Sequence, residues 1–173
     1  MSTFAGSYIK EPGDLLVVAT EDQIILALCD GQQVTAKKFD DLSPQELAII
    51  VRVANELIPA AESTINSAAR KRGYAIPLGP VVDADIIEIA AQLVWISALQ
   101  RGGTLSIVDA NKLRNDLRDG VLKDIADGDL VLTAIFDTAT EAPGSLVHSI
   151  TDAASRDTTG SVERVSRAQW SRW

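Results

Sequence analysis

Between Ser43 and Gly73 the chain carries a start signal, an apolar stripe and a stop signal that only one element satisfies together, a long amphipathic helix. Ser43-Pro44-Gln45-Glu46 reads as a capping box. The serine hydroxyl and the glutamate three residues on can satisfy each other's backbone N–H, and proline sits where a helix has no N–H to lose. Leu47, Ile50, Val51, Ala54, Leu57, Ile58, Ala61, Ile65 and Ala68 then recur at spacings of three and four, which places them along one face. Arg70, Lys71 and Arg72 fall in the last turn, and Gly73 ends it. Pro59 lies inside this stretch and is expected to kink the helix or split it in two.

The flanking sequence extends the same logic. Thr20 with Glu21 and Asp22 predicts a short helix over 21–29, closed by Asp30-Gly31. Asp83-Ala84-Asp85 opens a further helix over 84–101, ended by Gly102-Gly103. Ile86, Ile87, Ala90, Leu93, Val94, Ser97 and Ala98 spread small and branched residues round much of its circumference, so it should be central. A fourth helix is expected over 107–126, with Leu113, Leu117, Val121, Leu122 and Ile125 on one face and Gly120 weakening it locally by about 1 kcal/mol. Pro77 and Pro80 make 74–82 a rigid non-helical connection, and 32–42 reads as a loop or hairpin-like insert. Residues 1–12 read as an extended, partly mobile arm. Leu15 to Ala19 reads as a short strand or extended lead-in.

The expected fold is therefore mainly α: a compact bundle of about four helices with extended N- and C-terminal arms. Residues 1–19 form the N-terminal arm, 20–132 the helical core and 133–173 a C-terminal linker and tail. Apolar residues make up 46% of the chain, enough for a packed core, whereas aromatics are only 5%, which suits helices built on Ala, Ile, Leu and Val.

Charge and rare residues narrow the function. A formal net charge of -8 gives no general attraction for DNA or for an anionic membrane. The longest apolar stretch, near 86–99, is broken by Glu88, Gln92 and Ser97 and is too short to span a bilayer. No basic run followed by an apolar stretch opens the chain, so no secretory signal is expected. One cysteine and one histidine are too few for an internal disulfide or a Cys/His zinc cluster.

Several residues admit two readings. Cys29, among Leu26, Ala27 and Leu28, is a small buried apolar residue or a reactive thiol. Arg70, Lys71 and Arg72 complement a helix C-terminus, or touch DNA, another subunit or an acidic neighbour. Asp83 and Asp85 cap a helix or form a carboxylate pair. Asp124, Asp127 and Asp129 surround a helix stop at Asp127-Gly128; they lack the spacing and the closing Glu of a calcium loop. His148, near Ser145, Ser149 and Asp152, has no positioned scaffold for a triad. No phosphate-binding loop, dinucleotide fingerprint or zinc-protease motif occurs, and no enzyme, cofactor or metal site is expected.

The C-terminal stretch 161–173 departs from the rest. It holds Arg164, Arg167 and Arg172 against one Glu163, with Trp170 and Trp173, two of the chain's three tryptophans. Tryptophan and arginine are the residues most enriched at binding hot spots. Arg167, Trp170 and Trp173 recur at spacings of three, so one helical turn would align them. The segment either docks on a partner or packs on its own core.

The run Ala61-Glu62-Ser63-Thr64-Ile65, then Arg70-Lys71-Arg72-Gly73-Tyr74-Ala75-Ile76-Pro77-Leu78, resembles the Mu-like phage and prophage head–tail connector family. The Ala-rich helix that follows and the stretch from Leu113 and Leu117 to Ile125-Ala126-Asp127-Gly128 are similar to the family too, and the likeness spans roughly residues 19–132. It implies a helical adaptor of a long-tailed bacteriophage, synthesised in the host bacterial cytoplasm and built into the virion neck. Such adaptors form a homo-oligomeric ring, typically of about twelve copies, under the portal protein. The ring extends the DNA channel and docks the next neck or tail-completion protein; DNA passes through without specific binding. Two features depart from simpler members: the N-terminal arm with its 32–41 insert, and the long C-terminal tail, where the portal would be gripped through Arg164, Arg167, Trp170, Arg172 and Trp173. The alternative is a small helical interaction module or regulator whose C-terminus serves as a peptide ligand.

Overall fold

In the computed structural model, residues 4–29, 31, 34–79 and 82–133 are described. Among the described residues five α-helices follow in order: α1 (Glu21–Leu28), α2 (Pro44–Arg72), α3 (Ala84–Arg101), α4 (Ile107–Asp119) and α5 (Val121–Asp127). Short 3-10 turns occupy Pro12–Val17 and Phe39–Asp41, and no strand occurs among the described residues. The protein is mainly α, as its periodicity requires.

The capping chemistry sets the boundaries. The Glu46 N–H donates to Ser43 Oγ at 3.3 Å, and the Ser43 N–H donates to Glu46 Oε2 at 2.8 Å, the reciprocal box read from the sequence. The Ser43 hydroxyl and then the Ser43 N–H hold the Glu46 carboxyl below its ordinary value. Thr20 and Gln23 build the same device on α1. Gly73 ends α2 at φ 92 in the left-handed region, which costs glycine little. Pro59 does not split α2: the helix runs through it as one element of 29 residues. Its ring lies on the exposed side, away from the buried stripe of Ile50, Val53, Ala54, Ile58, Ala61 and Ile65.

Helix α3 is the central element. Ile86, Ile89, Ala90, Ala91, Leu93, Val94, Ile96 and Ala98 are all buried, so its apolar surface wraps most of the circumference. It packs against α1, α2, α4 and the 3-10 turn at Pro12–Val17. Helix α2 packs against α1, α3 and α5. Cys29 is buried, as a small apolar residue would be.

Two expectations fail on backbone grounds. The single helix expected over 107–126 is two helices, because the backbone leaves helical geometry at Gly120, with ψ -114. The break lets α4 stay on α3 while α5 turns to cover α2 with Leu122 and Ile125. Leu113, expected on one face with Leu117, Val121, Leu122 and Ile125, is exposed. The second failure is the lead-in at 15–19. It is a 3-10 turn over Pro12–Val17, started by Pro12 and by the Asp14 carboxylate, which accepts from the Lys10 and Glu11 N–H groups.

Residues 4–10 of the N-terminal arm form a loop closed by the Phe4 N–H, which donates to the Lys10 carbonyl oxygen at 2.6 Å, and this part of the arm is fastened rather than free. Phe4, Tyr8 and Ile9 are buried in the common core. Burial of each such side chain stabilises by roughly 1.5–3 kcal/mol. Three polar residues on one face of α2 hold its backbone. The Ala5 N–H donates to Asn55 Oδ1 at 2.8 Å, and the Ser7 and Tyr8 N–H groups share Glu62 Oε1 at 2.6 and 2.7 Å. The Tyr8 hydroxyl donates to Asn66 Oδ1 and accepts from the Leu78 N–H at 3.2 Å. Spacings of seven and four put Asn55, Glu62 and Asn66 in line along the helix.

Burial pushes the Tyr8 phenol above its ordinary value, the Leu78 N–H pulls it down, and the nearby Glu62 carboxylate raises it further. A raised folded value means the stability it contributes is complete below about pH 10 and is lost as pH climbs through the folded value. Tyr8→Phe should cost about 1–3 kcal/mol at neutral pH, because it leaves a buried N–H and an amide oxygen unmatched. Denaturant titrations at neutral and alkaline pH should also show a smaller alkaline loss in the variant than in the native chain.

Candidate functional site

All of the described residues belong to one compact unit, and two clefts on its surface bear on function. The first, about 710 Å³, runs between α2 and the α4–α5 pair. Its floor is Ser63, Ser67 and Ala68, and Lys71, Arg118 and Lys123 stand along it with Asp119 and Asp127. Small residues on α2 leave the space, and the break at Gly120 brings Arg118 and Lys123 to the same wall. No hydrogen bond or ion pair among the described residues engages the side chains of Lys71, Arg118 or Lys123.

The second cleft, about 650 Å³, lies between α1 and the C-terminal half of α3. Leu26, Ala27, Trp95, Ala98 and Leu99 make it largely apolar, and Leu26 is 74% exposed. At the start of α4, Ile107 and Val108 are also exposed.

The basic run at the end of α2 is divided by helical geometry, since successive side chains point about 100° apart. Arg70 borders a smaller cleft beside Glu62 and Asn66, and Lys71 lines the first cleft. The Arg72 guanidinium lies over the turn that ends α5. A Cβ at Gly128 would stand 2.6 Å from its Nε, and Gly128 has φ 87, so that turn requires glycine. Arg70, Lys71 and Arg72 are not gathered into one site.

Asp83 departs from its expected role. It stands at the N-cap of α3, yet its side chain makes no cap hydrogen bond. It accepts instead from the Thr133 N–H at 2.9 Å and from the Thr133 hydroxyl. One residue earlier, the Leu132 N–H donates to the Tyr74 hydroxyl at 3.0 Å, and the Leu132 side chain is buried. The carboxylate is diverted because Thr133 brings two donors to it. Asp83→Ala should therefore act locally: amide exchange at Leu132 and Thr133 rises several-fold, while the melting temperature stays within about 2–4 °C. Asp85 is exposed in the first turn of α3.

Among the described residues no group of three His, Cys, Asp or Glu side chains could hold a metal ion, and no helix is long and apolar enough to cross a membrane. Arg164, Arg167, Trp170, Arg172 and Trp173 lie outside the described residues, as does His148. Sequence reading missed Asn55, Glu62 and Asn66 as anchors of the N-terminal strap. Their common spacing was a signal, but it could equally mark a solvated face. No family model, no curated protein and no solved structure matches this chain.

Proposed function

We propose that this chain is a structural head–tail connector of a long-tailed bacteriophage, a ring-forming adaptor under the portal that extends the DNA channel and receives the next neck or tail protein. One observation carries the reading: the stretches that resemble the connector family are the ones that organise the core. Tyr74 and Leu78, in the connection after the basic turn, are buried, and Tyr74 also holds the chain at Leu132. The helix after that connection is the central one, and the Asp127-Gly128 stop ends α5 against Arg72. The acidic net charge of -8 agrees with a channel wall past which DNA moves without sticking. The Arg- and Trp-rich terminus is the element assigned to grip the portal.

The apolar cleft beside Leu26 favours a second reading, a small helical interaction module that takes a partner's apolar segment. Native mass spectrometry and negative-stain imaging of the full chain with the portal of the same phage separate the two. The connector reading expects a closed ring of about twelve copies seated on the portal. A chain that stays monomeric or dimeric with portal present favours the module instead.

A further inference from the structure

The 29-residue helix α2 carries opposite charge at its two ends. Ahead of it, the 3-10 turn Phe39–Asp41 presents Asp40 and Asp41, both exposed, whose carboxylates make no hydrogen bond or ion pair among the described residues. Of the two lysines before them, Lys37 faces Asp22, a carboxyl held below its ordinary value chiefly by the Thr20 hydroxyl, and the exposed Lys38 offsets one of the two turn carboxylates. At the far end lies the cleft with Lys71, Arg118 and Lys123, drawn from three helices, with Arg70 exposed nearby. Asp119 and Asp127 offset part of that charge, yet none of the three cleft cations is paired with them. In a chain of net charge -8, this is a local reversal.

The two ends cannot satisfy each other within one copy. At 1.5 Å per residue, α2 puts about 40 Å between its start at Pro44 and the Lys71 that lines the cleft. A second copy can supply the match, and α2 dipoles running in sequence would add to it. Resting on the connector reading, we propose that copies of this chain meet head to tail, the acidic turn before α2 of one copy seating in the cationic α2–α5 cleft of the next. Such a contact joins two different surfaces, the kind that builds a ring when the rotation from copy to copy closes.

Charge reversal in trans tests it on the full-length chain with portal present. One variant reverses the cleft, Lys71→Glu with Lys123→Glu; another reverses the turn, Asp40→Lys with Asp41→Lys. Each alone sets like charges against each other, and should assemble about a hundredfold less tightly than the native chain. An equimolar mixture should restore rings, because each copy then meets its opposite; a ring of even copy number accommodates the alternation. A chain carrying all four changes should assemble alone. Recovery in the mixture also establishes that both variants are folded. Single variants that form rings like the native chain would overturn this interface and leave the connector reading standing. Loss that the mixture does not repair would overturn the pairing as well. A native chain that forms no ring would remove the reading itself and this interface with it.

Discussion

Changing Trp170 and Trp173 together to alanine should weaken attachment to the portal by a hundredfold or more while the helical core keeps its stability. Hot-spot tryptophans at the centre of an interface each contribute about 2 kcal/mol or more, so two exceed two decades in affinity. The tail is the one part of the chain where aromatic and cationic residues concentrate, and an acidic, aromatic-poor core has nothing equivalent to offer. Titration calorimetry of the native and substituted chains against portal measures the loss. Circular dichroism and thermal melting of the same samples should be unchanged. If the substitutions instead lower the melting temperature, the indoles pack on their own core and the tail is not a docking element.

Gly6→Ala should be strongly destabilising. An added Cβ would stand 2.5 Å from the Ile9 carbonyl oxygen, 2.8 Å from the Ile58 Cγ2 and 2.9 Å from Glu62 Oε1. The first is backbone and the last is the oxygen that holds the Ser7 and Tyr8 N–H groups, so neither can yield without loosening the strap. Overpacking costs about 1–3 kcal/mol, and lost bonds to a carboxylate add to it. We expect roughly 3 kcal/mol or more in total, a fall in melting temperature of about 6–12 °C for a domain of this size. Amide exchange should rise first at residues 5–9. A variant as stable as the native chain would mean that the strap contributes little.

The elements legible in the sequence were those whose signals are local. Ser43 to Glu46, Gly73 and the broad apolar surface of 84–101 each specify structure within a few residues, and their helices begin and end where those signals stand. The N-terminal strap was not legible, because its partners lie 50 to 70 residues away. A run such as Phe4 to Ile9, with no period of its own, gives no hint that Glu62 will accept its backbone. Gly120 was read as a weak point and proved a break, since helix propensity is a small term beside the burial of Leu122 and Ile125 against α2. Asp83 illustrates competition: an N-cap position favours a carboxylate, but two donors from Thr133 offer it more than one helix N–H would. Of the candidate site, the cations at 70–72 were visible as charges. Their separation into three environments, and the cleft that Lys71 shares with Arg118 and Lys123, arise only from tertiary packing.

The central claim is that the aromatic, cationic terminus inserts into a different polypeptide. A photo-cross-linking side chain at position 170, activated in rings assembled on portal and read by mass spectrometry, addresses it directly. The account predicts adducts that join this chain to portal. Adducts confined to the same chain, or none at all in the assembled state, would contradict it.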